Sequence, residues 1–303
     1  MKRICITGAG GMIGTALTEY ALSQNAAVLA LVRPGGKPMR LAHPNLTVAA
    51  CDLSELSTFG SDLPCDGFVH LGWASTYGDA RNDVRTQLRN IEYTLDAARL
   101  AKKLGCRAFV TAGSQAEYGL CGEPLRPDTP TNPRTGYGIA KLAAGQLARL
   151  LCAQLGMRHC HARILSVYGG ADRAETIVST CVDSMLRGEA PELTACTQIW
   201  DFLHVRDAAR ALYLMLENGR DGAVYPVGSG EGRPLREYVL EIRKLTGCTA
   251  EPQFGARSLA SDAVRFLCAD ITSLTADTGF VPEVSFEQGI LQTIEERRKG
   301  ETS

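Results

Sequence analysis

An α/β fold is predicted for this chain: a doubly wound parallel sheet followed by a smaller mixed α/β region at the C-terminus. Three observations predict it. Short β-type runs alternate with helical patterns through the first half of the sequence. A glycine-rich turn, Gly8-x-x-Gly11-x-x-Gly14, joins the first apolar run to the first helical one. A Tyr137-x-x-x-Lys141 pair opens a later helix, downstream of Ser114 at the end of another apolar run.

Residues 3–7 read as the first strand, 13–24 as the first helix and 27–33 as the second strand. Strands over 45–51 and 67–72 follow. Val84, Leu88, Ile91, Leu95 and Ala98 then recur at helical spacing, which predicts an amphipathic helix over 83–104. A fifth strand over 107–112, a helix over 137–155 and a sixth strand over 158–167 complete the regular half. The Gly-, Pro-, Asp- and Thr-rich segment 115–136 reads as a long loop of the kind that borders a site. Beyond residue 168 the rhythm loosens. Helices over 174–187, 206–218, 234–246 and 286–299 are separated by extended pieces at 197–204, 223–228 and 264–269, punctuated by Pro191, Pro226, Pro234, Pro252 and Pro282. The expected division is 1–168 for the regular domain and 169–303 for a region interleaved with the last sheet strands.

The bulk composition excludes several classes of function. A chain of 303 residues sits near the size at which single cores stop growing, roughly 250–300 residues. Hydrophobic content of 45% with 21% charged residues is that of an ordinary globular protein. A formal net charge of −1 gives no basic excess for nucleic acid or an anionic membrane surface. The first strand begins at once, which leaves no room for a signal peptide, and no apolar run approaches ~18 residues. A cytoplasmic protein with reduced thiols is expected. Among eleven cysteines, Cys5, Cys51, Cys106 and Cys268 lie in apolar strand-like runs and read as small buried hydrophobes. His159-Cys160-His161, near Cys152, is the single metal-like cluster. Alternation puts the two histidines on one face without the cysteine, no further ligand is correctly spaced, and no metal is expected.

The turn from Thr7 to Gly14 offers what a pyrophosphate needs, backbone N–H groups at a helix N-terminus with no side chain in the way. The end of the second strand bears on the choice of dinucleotide. A carboxylate there would accept from a ribose 2′-hydroxyl, but this chain has Val32 followed by Arg33, a cation suited to a 2′-phosphate. NADP(H) is therefore favoured, with NAD(H) as the alternative. Asp52 either accepts from an adenine amino group or caps a helix starting near Ser54.

Tyr137 and Lys141 lie four apart, on one helix face. Reduction of a ketone needs a proton on oxygen as hydride reaches carbon. A phenol with a pKa of ~10 becomes a workable acid near neutrality when an ammonium is close. Lys141 is the expected ammonium and can reach the nicotinamide ribose; Ser114 is expected to hydrogen-bond the substrate oxygen. Asn90, a poor residue for a helix interior, either bonds backbone and water behind Lys141 or faces outward.

These segments together resemble the extended short-chain dehydrogenase/reductases, within the NAD(P)-dependent epimerase/dehydratase group that acts on nucleotide sugars. Thr7 to Gly14 is similar to the family's TGxxGxxG turn, and His70-Leu71-Gly72-Trp73-Ala74 stands in place of its HLAA segment, with an unusual tryptophan. Asn90-Ile91 resembles the NVxGT start, Gly113 to Gly119 the SSxxVYG segment, and Arg163 to Gly169 the RxxNVYG strand with Ser166 for asparagine. Trp200 to Asp207 resembles RDFxHVxD, and Tyr225 to Gly230 resembles YNxGSG. The resemblance implies a Rossmann-type fold. It implies that Gly8, Gly11, Met12, Ile13, Gly14, Arg33, Asp52, Leu53, Leu71, Leu165, Tyr137 and Lys141 serve the dinucleotide. It further implies that Trp73, Ser114, Gln115, Ser166, Trp200 and Arg265 serve the sugar nucleotide, and that the chain forms a homodimer through the helices of Asn90 and Tyr137.

Two departures narrow the expected reaction. Family 4,6-dehydratases carry Asp-Glu after the catalytic Ser or Thr, where this chain has Gln115-Ala116, so dehydration is disfavoured. Trp200 replaces an arginine that contacts substrate phosphate, a task open to Arg265 or Arg257. The expected activity is reduction of a nucleotide-linked 4-keto-6-deoxy sugar at C4, with NAD-dependent 4-epimerisation as the alternative. A non-catalytic dinucleotide sensor is disfavoured because Tyr137 and Lys141 are both kept. A hydrolase is disfavoured because no G-x-S-x-G turn surrounds Ser114.

Overall fold

Ile4, Cys5, Ile6 and Thr7 of strand β1 (Arg3–Thr7) have no exposed surface, because the strand runs through the middle of the sheet with helices on both faces. The computed structural model describes residues 1–300 except 37, 38, 40, 171, 173, 261 and 262. Seven strands hydrogen-bond in parallel: β1, β2 (Ala27–Val32), β3 (Leu46–Ala50), β4 (Gly67–His70), β5 (Ala108–Ser114), β6 (Arg158–Ile164) and β11 (Ala223–Val227). Their spatial order is β3-β2-β1-β4-β5-β6-β11. The chain winds outward from β1 to β3, then crosses back to β4 and winds the other way. The carboxyl ends of β1 and β4 therefore border the switch-point crevice where such sheets take ligands.

Strand alternation divides the core into two layers. Ile4, Ile6, Val28 and Ala30 pack against α1 (Met12–Ser23) and α5 (Val205–Asn218). Cys5, Leu29, Phe68 and Phe109 pack against α2 (Val84–Lys103) and α3 (Gly136–Gln154). Each fully buried large apolar side chain contributes about 1.5–3 kcal/mol over leaving it in water. All of the cysteines are free; Cys121 is half-buried and the other ten are buried. Cys5 lies in a strand, Cys51 and Cys106 lie just outside one, and Cys268 lies between the single bridges of Phe266 and Ala269.

Where the elements differ from expectation, local contacts explain it. The sixth strand ends at Ile164: the Leu165 N–H makes the last ladder bond, to Val227 O, and β7 (Ser166–Tyr168) then leaves the sheet to pair with β10 (Phe202–His204). Residues 264–269 make only single bridges, Phe266 to Ile199 and Ala269 to Leu125. In α2 the residues buried near its start are Gln87, Asn90 and Thr94, while Val84 and Leu88 of the apolar stripe are 65% and 57% exposed. That half of the helix turns its polar side inward.

The rest of the chain packs beside the sheet. Helices α4 (Ile177–Leu186), α6 (Leu235–Thr246) and α8 (Phe286–Gly300) enclose a cluster of Tyr168, Phe202, Tyr238 and Phe286, with ring centroids 4.6–6.0 Å apart. Four two-residue pieces pair beside the sheet, β8 (Glu192–Leu193) with β13 (Gln253–Phe254) and β9 (Ile199–Trp200) with β12 (Arg233–Pro234); of these only β9 lies in a piece expected to be extended, 197–204. A short helix, α7 (Thr272–Thr278), precedes α8. No described helix is long and apolar enough to cross a membrane.

Candidate active site

A cavity of about 540 Å³ opens at the carboxyl ends of β1, β4, β5 and β6. At one end lies the glycine turn. Gly8 has φ +66°, and a Cβ there would stand 2.8 Å from the Gly72 backbone nitrogen; a Cβ on Gly14 would run into the Gly8 carbonyl oxygen. Both positions require glycine for the strand-to-helix turn to close. Helices α2, α3 and α4 each begin with a side-chain cap, from Asp83, Thr135 and Thr176. Helix α1 begins at Gly11 with no side-chain cap and no acidic residue in its first turn. Its first N–H groups and the positive end of its dipole face the cavity, a good fit for a dinucleotide's phosphates.

Ser114, Tyr137 and Lys141 line the same cavity. Ser114 ends β5, and its backbone N–H donates to Glu117 Oε1 at 2.8 Å while its Oγ accepts from Ala116 N at 3.2 Å. Lys141 Nζ donates to Ala112 O at 2.7 Å and stands 3.7 Å from the centre of the Trp73 ring, 5.7 Å from that of Tyr137. Burial pushes the Lys141 ammonium down to about 7, against an upward pull from Glu117. The Tyr137 phenol stands above its ordinary value rather than below it. Burial raises that phenol; Ser114 and the Arg81 charge pull it back, while Glu117 and Tyr77 add to the rise.

Behind the serine lies a buried polar cluster. Glu117 accepts from Arg163 Nε at 2.8 Å and lies 3.0 Å from His161 Nε2. Thr111 Oγ1 sits 2.7 Å from His161 Nδ1 and 3.0 Å from His159 Nε2. The two histidines do share one face of β6, and there they serve this hydrogen-bonded cluster. The burial of His159 takes its imidazole down to about 3.

The other expected site residues divide into two groups. Met12, Ile13, Leu71, Leu165, Trp73, Gln115, Ser166 and Trp200 all line the cavity with the glycines. Trp200 Nε1 donates to Ser166 Oγ at 2.7 Å, so the tryptophan in place of arginine bonds the serine in place of asparagine. Trp73 Nε1 donates to Gln87 Oε1 at 3.0 Å. Asn90 is buried and bonds both the N–H and the carbonyl of Ala74, each at 2.9 Å, which fixes the loop that carries Trp73. Arg33, Asp52, Leu53 and Arg265 are not among the lining residues. Arg33 is exposed at the end of β2. Asp52 caps the turn that follows β3, accepting from Ser54 N and Oγ at 3.0 and 2.7 Å, which holds its carboxyl below the usual range. Leu53 packs over Gly72. Arg265 is exposed, and Arg257 lies 3.8 Å from Glu192.

Sequence reasoning missed Arg81, Tyr77, Thr76, Asp172 and Thr176, which also line the cavity. Arg81 had a usable signal: it lies in the loop that follows a strand at the switch point, ahead of the Asp83 cap.

Residues 4–228 match the model of the NAD dependent epimerase/dehydratase family. The chain belongs to that family. Its curated relatives include a dTDP-glucose 4,6-dehydratase of Haemophilus influenzae, 24% identical over 97% of each chain. They also include a GDP-6-deoxy-D-mannose reductase of Pseudomonas aeruginosa, 24% identical over 95% of each. Among solved structures, MoeE5 in complex with UDP-glucuronic acid and NAD is 27% identical, covers 98% of this chain and 99% of its own, and superposes with a TM-score of 0.85. Other structures of the same fold include nucleotide-sugar 4-epimerases and one chain complexed with NADPH.

Proposed function

We propose that the chain is an NADP(H)-dependent oxidoreductase acting at C4 of a nucleotide-linked sugar, and that it reduces a 4-keto-6-deoxy sugar. The observation that carries this reading is a cavity lined by Ser114, Tyr137 and Lys141, together with Arg33 at the end of β2 where a carboxylate would otherwise take the ribose 2′-hydroxyl. A bound nicotinamide supplies the hydride. The protein supplies the proton: Tyr137 passes its phenolic hydrogen to the sugar oxygen as that oxygen gains charge, and Ser114 donates a hydrogen bond to the same atom. The uncapped start of α1 and the Gly8–Gly14 turn hold the pyrophosphate. Elimination of water is disfavoured by the same turn that carries Ser114. Gln115 and Ala116 offer no acid or base, and the Glu117 carboxylate is buried against His161 and Arg163.

The second reading is 4-epimerisation, supported by the 4-epimerases among structures of this fold. Mass spectrometry of the ligand released from freshly purified protein, with NADPH and NADH titrations of emptied protein, separates the two. Protein that arrives empty and binds NADPH at least tenfold more tightly than NADH supports the reductase. Stoichiometric NAD carried through purification overturns it in favour of the epimerase.

We also propose a homodimer through α2 and α3, which pack on each other and leave Val84, Leu88, Ile139 and Leu150 exposed. Leu150→Glu is expected to yield a monomer in sedimentation velocity. A wild-type chain that already sediments as a monomer removes the proposal.

A further inference from the structure

Tyr137 faces two cations, and the one nearer its ring is Arg81. The Arg81 guanidinium carbon lies 4.7 Å from the ring centroid, against 5.7 Å for Lys141 Nζ. Lys141 is engaged elsewhere, donating to Ala112 O and lying over Trp73. Arg81 has no comparable commitment. Its Nε is shielded from water without a hydrogen-bond partner, and it forms no ion pair among the described residues. A buried guanidinium nitrogen without an acceptor is costly, and the negative face of an aromatic ring is a partial substitute.

The turn that carries Arg81 is tied directly to the tyrosine's helix. Gly136, the residue before Tyr137, donates its N–H to Asn82 Oδ1 at 2.9 Å. Arg81 N donates to Gly78 O at 3.1 Å, Gln87 Nε2 reaches Ala80 O at 3.5 Å, and Asp83 caps α2. Guanidinium and phenol are thus held in one frame. The other groups that act on the phenol are Ser114 at the end of β5, Glu117 in the following turn and Tyr77 in the loop after β4, while Lys141 on α3 itself faces the ring from 5.7 Å.

We propose that Arg81 is a positioning residue for proton transfer, its guanidinium seating the Tyr137 ring and favouring the phenolate alongside Lys141. Burial works against the phenolate, and Arg81 is the charge that opposes burial there. The inference rests on the reading of Tyr137 as the acid/base group, but its test needs neither substrate nor dinucleotide.

The test is a fluorine NMR titration of the whole chain labelled with 3-fluorotyrosine, whose phenols ionise at lower pH than tyrosine. Nine tyrosines report, and the Tyr137 signal is the one lost in Tyr137→Phe. Arg81→Gln is expected to raise the Tyr137 midpoint by about one pH unit, a tenfold loss of phenolate at fixed pH. Arg81→Lys should restore at least half of that shift. Arg81→Met, which keeps the stem of the side chain, reads the same quantity if the glutamine variant does not fold. A Tyr137 midpoint that stays within about 0.3 units in the neutral variants overturns the proposal. Failure of the acid/base reading would show separately, as hydride transfer that survives in Tyr137→Phe.

Discussion

The sheet and the C-terminal region satisfy their backbone polar groups in different ways. In the sheet, seven parallel strands do it through a continuous ladder, and side chains are left free to pack or to line the site. Around α5 and α8 the strands are two or three residues long, and single carboxylates take over. Asp201, with no exposed surface, accepts from Ser229 N and Oγ at 2.7 and 2.6 Å, from Gly230 N at 3.2 Å and from Ala269 N at 3.0 Å. Asp207 accepts from Glu283 N and Val284 N at 3.0 and 2.8 Å and lies 3.4 Å from Arg210. A ladder spreads its stabilisation over many residues. A carboxylate concentrates it in one.

The largest effect expected from this contrast is that of Asp201→Ala. The substitution strands a buried N–H at Ala269 and, in part-buried settings, the N–H groups of Ser229 and Gly230 and the Ser229 hydroxyl, each worth up to about 1–3 kcal/mol when left unmade. Allowing for relaxation and water entry, the folded chain should lose about 3–5 kcal/mol in urea unfolding. A loss below about 1 kcal/mol would mean that the 229–230 and 269 segments are held by something other than this carboxylate.

The same contrast explains what could be read from the sequence. Alternating strands and helices are visible as periodicity, and β1, β2, β4, β5 and α1 to α3 fall within a few residues of expectation. The glycine turn, Ser114, Tyr137 and Lys141 were legible because the strand pattern puts the turn and the serine at carboxyl ends of strands of one sheet, and the four-residue spacing puts the other two on one helix face. Asp201 and Asp207 were visible only as part of a family-like segment. Nothing local in Trp200 to Asp207 shows that its acids tie down chain 28 to 77 residues away. For Arg81 the sequence could flag a switch-point loop but not its closeness to the tyrosine. Its nearness to Tyr137 depends on the bond from Gly136 to Asn82, across a separation of 54 residues. The inward-facing start of α2 misled the apolar stripe, since Gln87 and Asn90 are buried to hold the Trp73 loop.

A smaller effect is expected at Lys141, where the sheet half carries its own weak point. Its ammonium makes one hydrogen bond, to Ala112 O, and lies over the Trp73 ring, and burial takes it from 10.5 to about 7. Between those two values the unfolded chain binds a proton at this lysine that the folded chain does not. Stability therefore rises with pH across that window, and the penalty is fully present below about 7. Lys141→Met removes the penalty along with the bond to Ala112 O, which is worth about 1 kcal/mol. The variant should be more stable than wild type by about 1–3 kcal/mol at pH 7, and the gain should shrink or reverse near pH 10. The pH dependence of other cysteines and tyrosines cancels in the difference between the two proteins, measured by urea unfolding at both pH values. The variant should at the same time lose hydride transfer, a trade of activity for stability expected where a charge is buried for chemistry. A variant clearly less stable at pH 7 would show that Glu117 and the Trp73 ring repay the burial of the charge, and that this half of the molecule also relies on single polar side chains.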